Sequence, residues 1–257
     1  MPLKYKFKYP IDSPERTLEH KEIIGSKYFL KKLYLEWYND FIREVEKKPD
    51  GKFLELGSGG GFLKEVEPRI ISSDILDLPS NDMAFSALEM PFEDKSLDGI
   101  FMIDTFHHIP DSEKFLKEVL RTLRDGGVMI MTEPANSWWG RLIYQNLHHE
   151  PFNPKGGWCF PAEGPLSGAN GALPWIVFER DREELSKKFP DLEITEIRYH
   201  TPFRYLVSGG LSFKQPIPDF TYPLFKFFDN VLSGLSKEIS MFVTIKIKVK
   251  DDRSPDL

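Results

Sequence analysis

The chain has 257 residues, a net charge of −6 and 14% aromatic residues, which is enough for one α/β domain with a full core and an elaborated cap. Its sequence pI near 5.6 lacks the basic footprint of nucleic-acid binding, so no nucleic-acid partner is expected. The single cysteine, Cys159, excludes an internal disulfide and fits a reducing compartment.

The basic start at residues 1–6 leads into no apolar stretch of the kind a secretory signal needs. No later run approaches the roughly 18 apolar residues of a membrane-spanning helix, so no membrane span and a cytoplasmic location are expected. Ser13-Pro14-Glu15 supplies an N-cap, a first-turn proline and an acid, which together start a helix. Over residues 28–45, Leu30, Leu33, Trp37, Phe41 and Val45 fall at helical spacing and predict one core-facing stripe. Residues 47–51 turn into a first strand at Phe53-Leu54-Glu55-Leu56. The turn after it, Gly57-Ser58-Gly59-Gly60-Gly61, allows close approach of a ligand to backbone, and residues 62–66 look like the first turns of a helix.

The dinucleotide fingerprint G-x-G-x-x-G requires a glycine where Phe62 stands. What stands here is an acid two residues before Gly57-x-Gly59-x-Gly61, and this resembles motif I of the class I S-adenosylmethionine-dependent methyltransferases, in their small-molecule, type 11-like branch. Later stretches continue the resemblance in order. Residues 70–75 read as a second strand ending at Asp74. Residues 86–100 resemble the family's adenine loop and the approach to its fourth strand. Residues 100–109 match that strand and the turn after it, and residues 120–133 match the Gly126-Gly127 turn into the fifth strand. Strand and helix are expected to alternate as far as Glu133. Alternation at residues 192–199 and 240–249 predicts the sixth and seventh strands.

The resemblance implies an α/β, Rossmann-like seven-stranded sheet, mostly parallel, with the last strand antiparallel between the fifth and sixth and helices on both faces. It implies a single domain over residues 1–257, with residues 1–50 as an N-terminal helical lid and 51–133 as the cofactor-binding core. A lid that closes over the cofactor would bring one of Tyr9, His20 and Lys27 against it. The cofactor implied is S-adenosyl-L-methionine, leaving S-adenosyl-L-homocysteine as product. Gly57, Ser58, Gly59 and Gly61 would lie against its methionine portion, with Glu55 reaching the ammonium. Asp74 would hold the ribose hydroxyls, Ile75 would face the adenine, and Ala87 and Leu88 would border its edge. Asp104 would face the methionine portion or the reacting centre. Where family members often carry an acid at the start of the adenine loop, this chain has Ser86. Adenine recognition then falls to Ser86, backbone amides or Asp82.

Residues 134–176 and 202–239 are dense in aromatic rings and predict substrate-cap insertions. The acceptor expected is a small molecule, aromatic, lipid-like or sugar, methylated at oxygen. A macromolecular acceptor and a non-catalytic binding module are the alternatives. The Asn/Asp-Pro-Pro-aromatic signature of amide and base methylation is absent; Asp104-Thr105-Phe106-His107 stands there instead. Candidate catalytic groups are Asp104, His107 and His108, His107 being the better-positioned base; His148 and His149 are further candidates. For His108 a hydrogen bond within the turn fits as well as a catalytic role. His148-His149-Glu150 with Asp104 shows no recognised ligand spacing, so no metal is expected. The sequence leaves the oligomeric state open.

Overall fold

A computed structural model describes residues 4–148, 150–161 and 164–251; His149 and the residues beyond 251 lie outside this range. The chain opens with helix α1 (Pro14–Ser26), whose N-cap Ser13 accepts a hydrogen bond from the Arg16 amide. Helix α2 (Tyr28–Lys47) follows after one extended residue and buries the predicted stripe from Leu30 to Val45. Strand β1 (Phe53–Leu56) is buried along its length. The helix expected after the glycine turn is a single turn, α3 (Leu63–Val66). It leads to β2 (Ile70–Asp74), β3 (Met83–Ala84) and β4 (Leu97–Ile103).

The predicted alternation of strand and helix therefore fails between β2 and β4. Residues 75–96 carry Pro79, Ser80, Asn81, Asp82 and Pro91, turn formers with no apolar helical period, and they fold as irregular connections. The two-residue strand β3 left no sequence signal. Beyond β4 come α4 (Ser112–Thr122), β5 (Leu123–Pro134) and α5 (Trp138–Leu147). Then α6 (Leu173–Trp175) widens into a π-helical turn, and α7 (Arg182–Lys188) leads to β6 (Leu192–His200). Two further helices, α8 (Arg204–Ser208) and α9 (Tyr222–Leu235), precede β7 (Phe242–Val249).

The strands form one sheet in the order β3-β2-β1-β4-β5-β7-β6. Pairings from β3 through β5 are parallel, and β7 runs antiparallel to both β5 and β6, as the resemblance implied. β1 and β4 are buried on both faces, and apart from Glu55, Asp98 and Gly99 they are apolar, as buried parallel strands tend to be. Phe41 of α2 stacks on Phe101 of β4 at 4.8 Å and 7°, fixing the helix to the sheet. Among the described residues no helix is long and apolar enough to cross a membrane.

Candidate active site

The carboxyl edge of the sheet is where a ligand crevice forms in a parallel α/β fold. At the end of β1, Gly57 and Gly59 adopt φ of +66° and +48°, a left-handed conformation that glycine reaches without steric cost. A side chain at Gly57 would also strike Thr105. The turn is anchored by the Ser58 amide donating to the Ser73 carbonyl at 2.8 Å. Helix α1 lies close over it, since a Cβ at Gly60 would sit 2.8 Å from the Lys21 nitrogen. Glu55 is buried and accepts from Ser58 Oγ at 2.7 Å. Burial, opposed by that bond and reinforced by Asp74, pushes its carboxyl up to about 7. Asp74, also raised by burial, accepts from the Gly59 amide at 3.0 Å and the Leu76 amide at 2.9 Å.

A second cluster forms where β4 and β5 end side by side. Ile103 pairs with Thr132, so the residues after each, Asp104 and Glu133, emerge together. Asp104 holds φ +49°, uncommon for a residue with a Cβ and a feature found at functional sites. Glu133 is fully buried. One of its oxygens accepts from the Thr105 and Phe106 amides at 2.9 and 2.7 Å, and the other meets His107 Nδ1 at 2.7 Å. The short 3₁₀ turn Phe106–His108 brings the two histidine rings to 4.2 Å between centroids. His107 Nε2 lies 3.2 Å from Glu150, and His108 Nδ1 lies 3.0 Å from the Gly168 carbonyl.

The charges in this cluster are strongly coupled. Burial alone would lower the His107 imidazole, but Glu133 and Glu150 raise it well above its usual range. Burial, then the neighbouring His107 charge, takes His108 down to about 4. Asp104 is pushed up to about 8, first by burial and then by Glu133 and Glu150 against the opposing His107. Burial would raise Glu150, yet the bond and charge from His107 hold it far below the ordinary carboxylate range. His107 is thus an imidazolium at neutral pH, fixed between two carboxylates. In that state it has no electron pair to accept a proton, which counts against the base role expected for it. His108 is neutral at the same pH.

One cavity of about 1160 Å³ joins both clusters. Glu55, Gly57, Ser58, Gly59, Gly61, Asp74, Ile75, Ser86, Ala87, Leu88, Asp104, His107 and His108 all line it. So do His20 of α1, His148, Glu150 and the rings of Tyr144, Phe160, Tyr205 and Phe213. Of the three lid candidates only His20 lines the cavity, and of the two side chains offered for the adenine only Ser86 does. Tyr9 is exposed and is not part of the lining. Lys27 is buried and donates to the carbonyls of Gly210 and Phe213, a strut between the N-terminal helices and the segment after β6. Asp82 binds Lys64 and the Ser72 amide and hydroxyl, locking β2 to β3 rather than meeting a ligand.

Most rings of the two insertions also lie outside the cavity. Phe152 stacks on Tyr144, and Trp158 donates to Asp181. Trp138, Phe220, Phe227 and Phe228 are exposed on the outer surface. Sequence reasoning missed Glu133 as a site residue. An acid soon after the apolar run Val128–Met131, beside a strand that is itself followed by an acid, was the available signal.

Residues 54–131 match the family described as methyltransferase domain. Over that stretch the chain carries a methyltransferase domain. The curated relatives align with only part of this chain. Phosphoethanolamine N-methyltransferase 2 of Caenorhabditis elegans is 30% identical over 119 residues, covering 37% of this chain and 27% of that protein. Demethylmenaquinone methyltransferase of Symbiobacterium thermophilum is 30% identical over 95 residues, or 37% of each chain. The alignments therefore span well under half the length of either relative. Among solved structures, a Thermotoga maritima protein described as an S-adenosylmethionine-dependent methyltransferase superposes with a TM-score of 0.50 at 17% identity. That superposition covers 92% of this chain and 94% of that one; at this identity the likeness establishes the fold.

Proposed function

We propose that this chain transfers the methyl group of S-adenosyl-L-methionine to a small-molecule acceptor, at an oxygen atom. The observation that carries the reading is the continuity of the cavity. Its β1–β2 end presents Glu55, the glycine turn and Asp74, and its other end is walled by Tyr144, Phe160, Tyr205 and Phe213, with Asp104, His107, His108 and Glu150 between. Methyl transfer from a sulfonium is an in-line displacement in which the cofactor supplies the reactivity and the protein supplies alignment. In this reading Glu55 pairs with the cofactor ammonium, Asp74 holds its ribose, and Asp104 faces the reacting centre. Residues 1–50 act as a lid, and the cavity-facing parts of residues 134–176 and 202–239 act as the acceptor cap. A chamber under such a cover suits a small molecule better than a protein or RNA segment.

A second reading, methylation of an amine, is favoured by the carboxylates Asp104, Glu133 and Glu150 in one cluster, which suit a cationic acceptor. The test begins with calorimetric titration by S-adenosyl-L-methionine and S-adenosyl-L-homocysteine, with NAD as control. A screen of phenolic, lipid and sugar hydroxyls against amines follows, read by mass spectrometry of the methylated product. Product only from amines would replace the first reading with the second. No binding of either sulfur nucleoside to folded protein would replace both with a non-catalytic module.

A further inference from the structure

We propose that His107, His108 and Glu150 form a binding site for a divalent transition-metal ion at the acceptor end of the cavity. One ligand atom from each of the three side chains lies within 4.8 Å of the others, although 43 residues separate His107 from Glu150. Glu150 Oε2 is 3.2 Å from His107 Nε2, and Oε1 is 3.8 Å from His108 Nε2. Tetrahedral coordination with metal–nitrogen and metal–oxygen bonds of about 2.0–2.1 Å sets neighbouring donors about 3.3 Å apart. The three side chains therefore stand near ligand spacing, and an ion entering there displaces the His107 Nε2 proton, which restores the electron pair a ligand needs.

The outer partners make the same case independently. Metal-binding imidazoles are normally held by their far nitrogen donating to a carboxylate or a backbone carbonyl, which fixes the tautomer and aims the near nitrogen. Both histidines have such a partner: His107 Nδ1 meets Glu133 at 2.7 Å, and His108 Nδ1 meets the Gly168 carbonyl at 3.0 Å. A carbonyl oxygen can only accept, so His108 Nδ1 carries the ring hydrogen and Nε2 presents its electron pair towards Glu150 Oε1. His148 Nδ1, 3.6 Å from Glu150 Oε2, and Asp104 stand nearby as further donors.

Two imidazoles and one carboxylate select zinc, manganese, iron or cobalt over magnesium and calcium, which favour all-oxygen sites. The absence of ligand spacing in the sequence does not weigh against this, because the 3₁₀ turn and the sheet edge assemble the ligands. The role of the ion rests on the methyl-transfer reading. An acceptor hydroxyl bound to it loses its proton to water more readily. The resulting alkoxide attacks the methyl carbon while the carbon–sulfur bond breaks and sulfur keeps the electron pair.

The test uses the untagged full chain freed of metal by chelation, then titrated with Zn²⁺ by calorimetry and with Co²⁺ by visible absorption, Mg²⁺ and Ca²⁺ serving as controls. The expected result is one Zn²⁺ or Co²⁺ per chain, at least 100-fold tighter than Mg²⁺ or Ca²⁺. Glu150→Gln and His108→Gln, each checked for folding by its thermal transition, should bind at least tenfold more weakly. No saturable binding to folded wild-type protein, or binding unchanged in both variants, overturns the site. Titration of the same samples with S-adenosyl-L-methionine separates the two ideas. Metal binding without cofactor binding keeps the site and removes the methyl-transfer reading, whereas cofactor binding without metal binding does the reverse.

Discussion

Glu55 offers a test in which a functional residue should lower the stability of the protein that carries it. Its carboxyl is fully buried at the end of β1, and burial leads the causes that move it from 4.5 to about 7. That displacement corresponds to about 3 kcal/mol by which the folded chain disfavours the ionised form. A folded-state value raised above the unfolded one contributes stability that is fully present below pH 4.5 and is lost as pH rises through 7. Glu55→Gln cannot ionise, and its amide oxygen still accepts from Ser58 Oγ. Without cofactor, the variant should therefore gain on wild type as pH rises from 5 to 8, by about 6 °C in melting temperature at pH 8. With cofactor that advantage should shrink towards zero, because the sulfonium nucleoside's ammonium loses an ionised partner worth about 1.5–3 kcal/mol, or at least tenfold in affinity. Differential scanning calorimetry at pH 5, 6, 7 and 8, with and without S-adenosyl-L-methionine, reads both effects. Parallel melting curves for the two proteins across that range, with equal cofactor affinity, would refute the reasoning.

Asp74→Ala should weaken cofactor binding at least tenfold by calorimetry, through loss of charge-assisted bonds of about 1.5–3 kcal/mol to the ribose; unchanged affinity would remove Asp74 from the site. Gly57→Ala should lower the unfolding midpoint by about 1–3 kcal/mol in denaturant titration, since φ of +66° strains any residue with a Cβ and Thr105 occupies the space. Arg204 joins Asp229 and Glu36 at 2.7 Å each, with Asp229 buried. Arg204→Ala strands that carboxylate and should cost about 3–5 kcal/mol of stability in the same experiment; a loss under 1 kcal/mol would show that α8 and α9 are held by other contacts.

The parts of the fold legible in the sequence are those in which chemistry is local. The Ser13 cap, the α2 stripe, the glycine turn and the apolar strands each satisfy their constraint within a few residues. The period of apolar side chains or the need for positive φ therefore shows directly. Residues 75–96 were misjudged as part of a strand–helix alternation because the rule was carried past the point where apolar periodicity supports it. The aromatic insertions were legible only in part, for a different reason. Ring density records a need for buried area, but it does not say which surface is buried. Tyr144 and Tyr205 face the cavity, while Phe227 and Phe228 of α9 face outwards.

The candidate site divides along the same line. Its cofactor half lies on two adjacent strand ends, and Glu55, Gly57, Gly59 and Asp74 could be placed because a strand followed by a turn fixes direction. Its reactive half depends on pairings that no spacing records. Glu133 meets His107 because β4 and β5 pair in register, and Glu150 arrives from an irregular connection with no period to locate it. Naming His107 the better-positioned base rested on its place after β4, which does not record what its two ring nitrogens meet. The same ring is a proton acceptor beside water and a locked imidazolium between two carboxylates. The Glu133 and Glu150 contacts, not the histidine, decide which chemistry is open to the cluster.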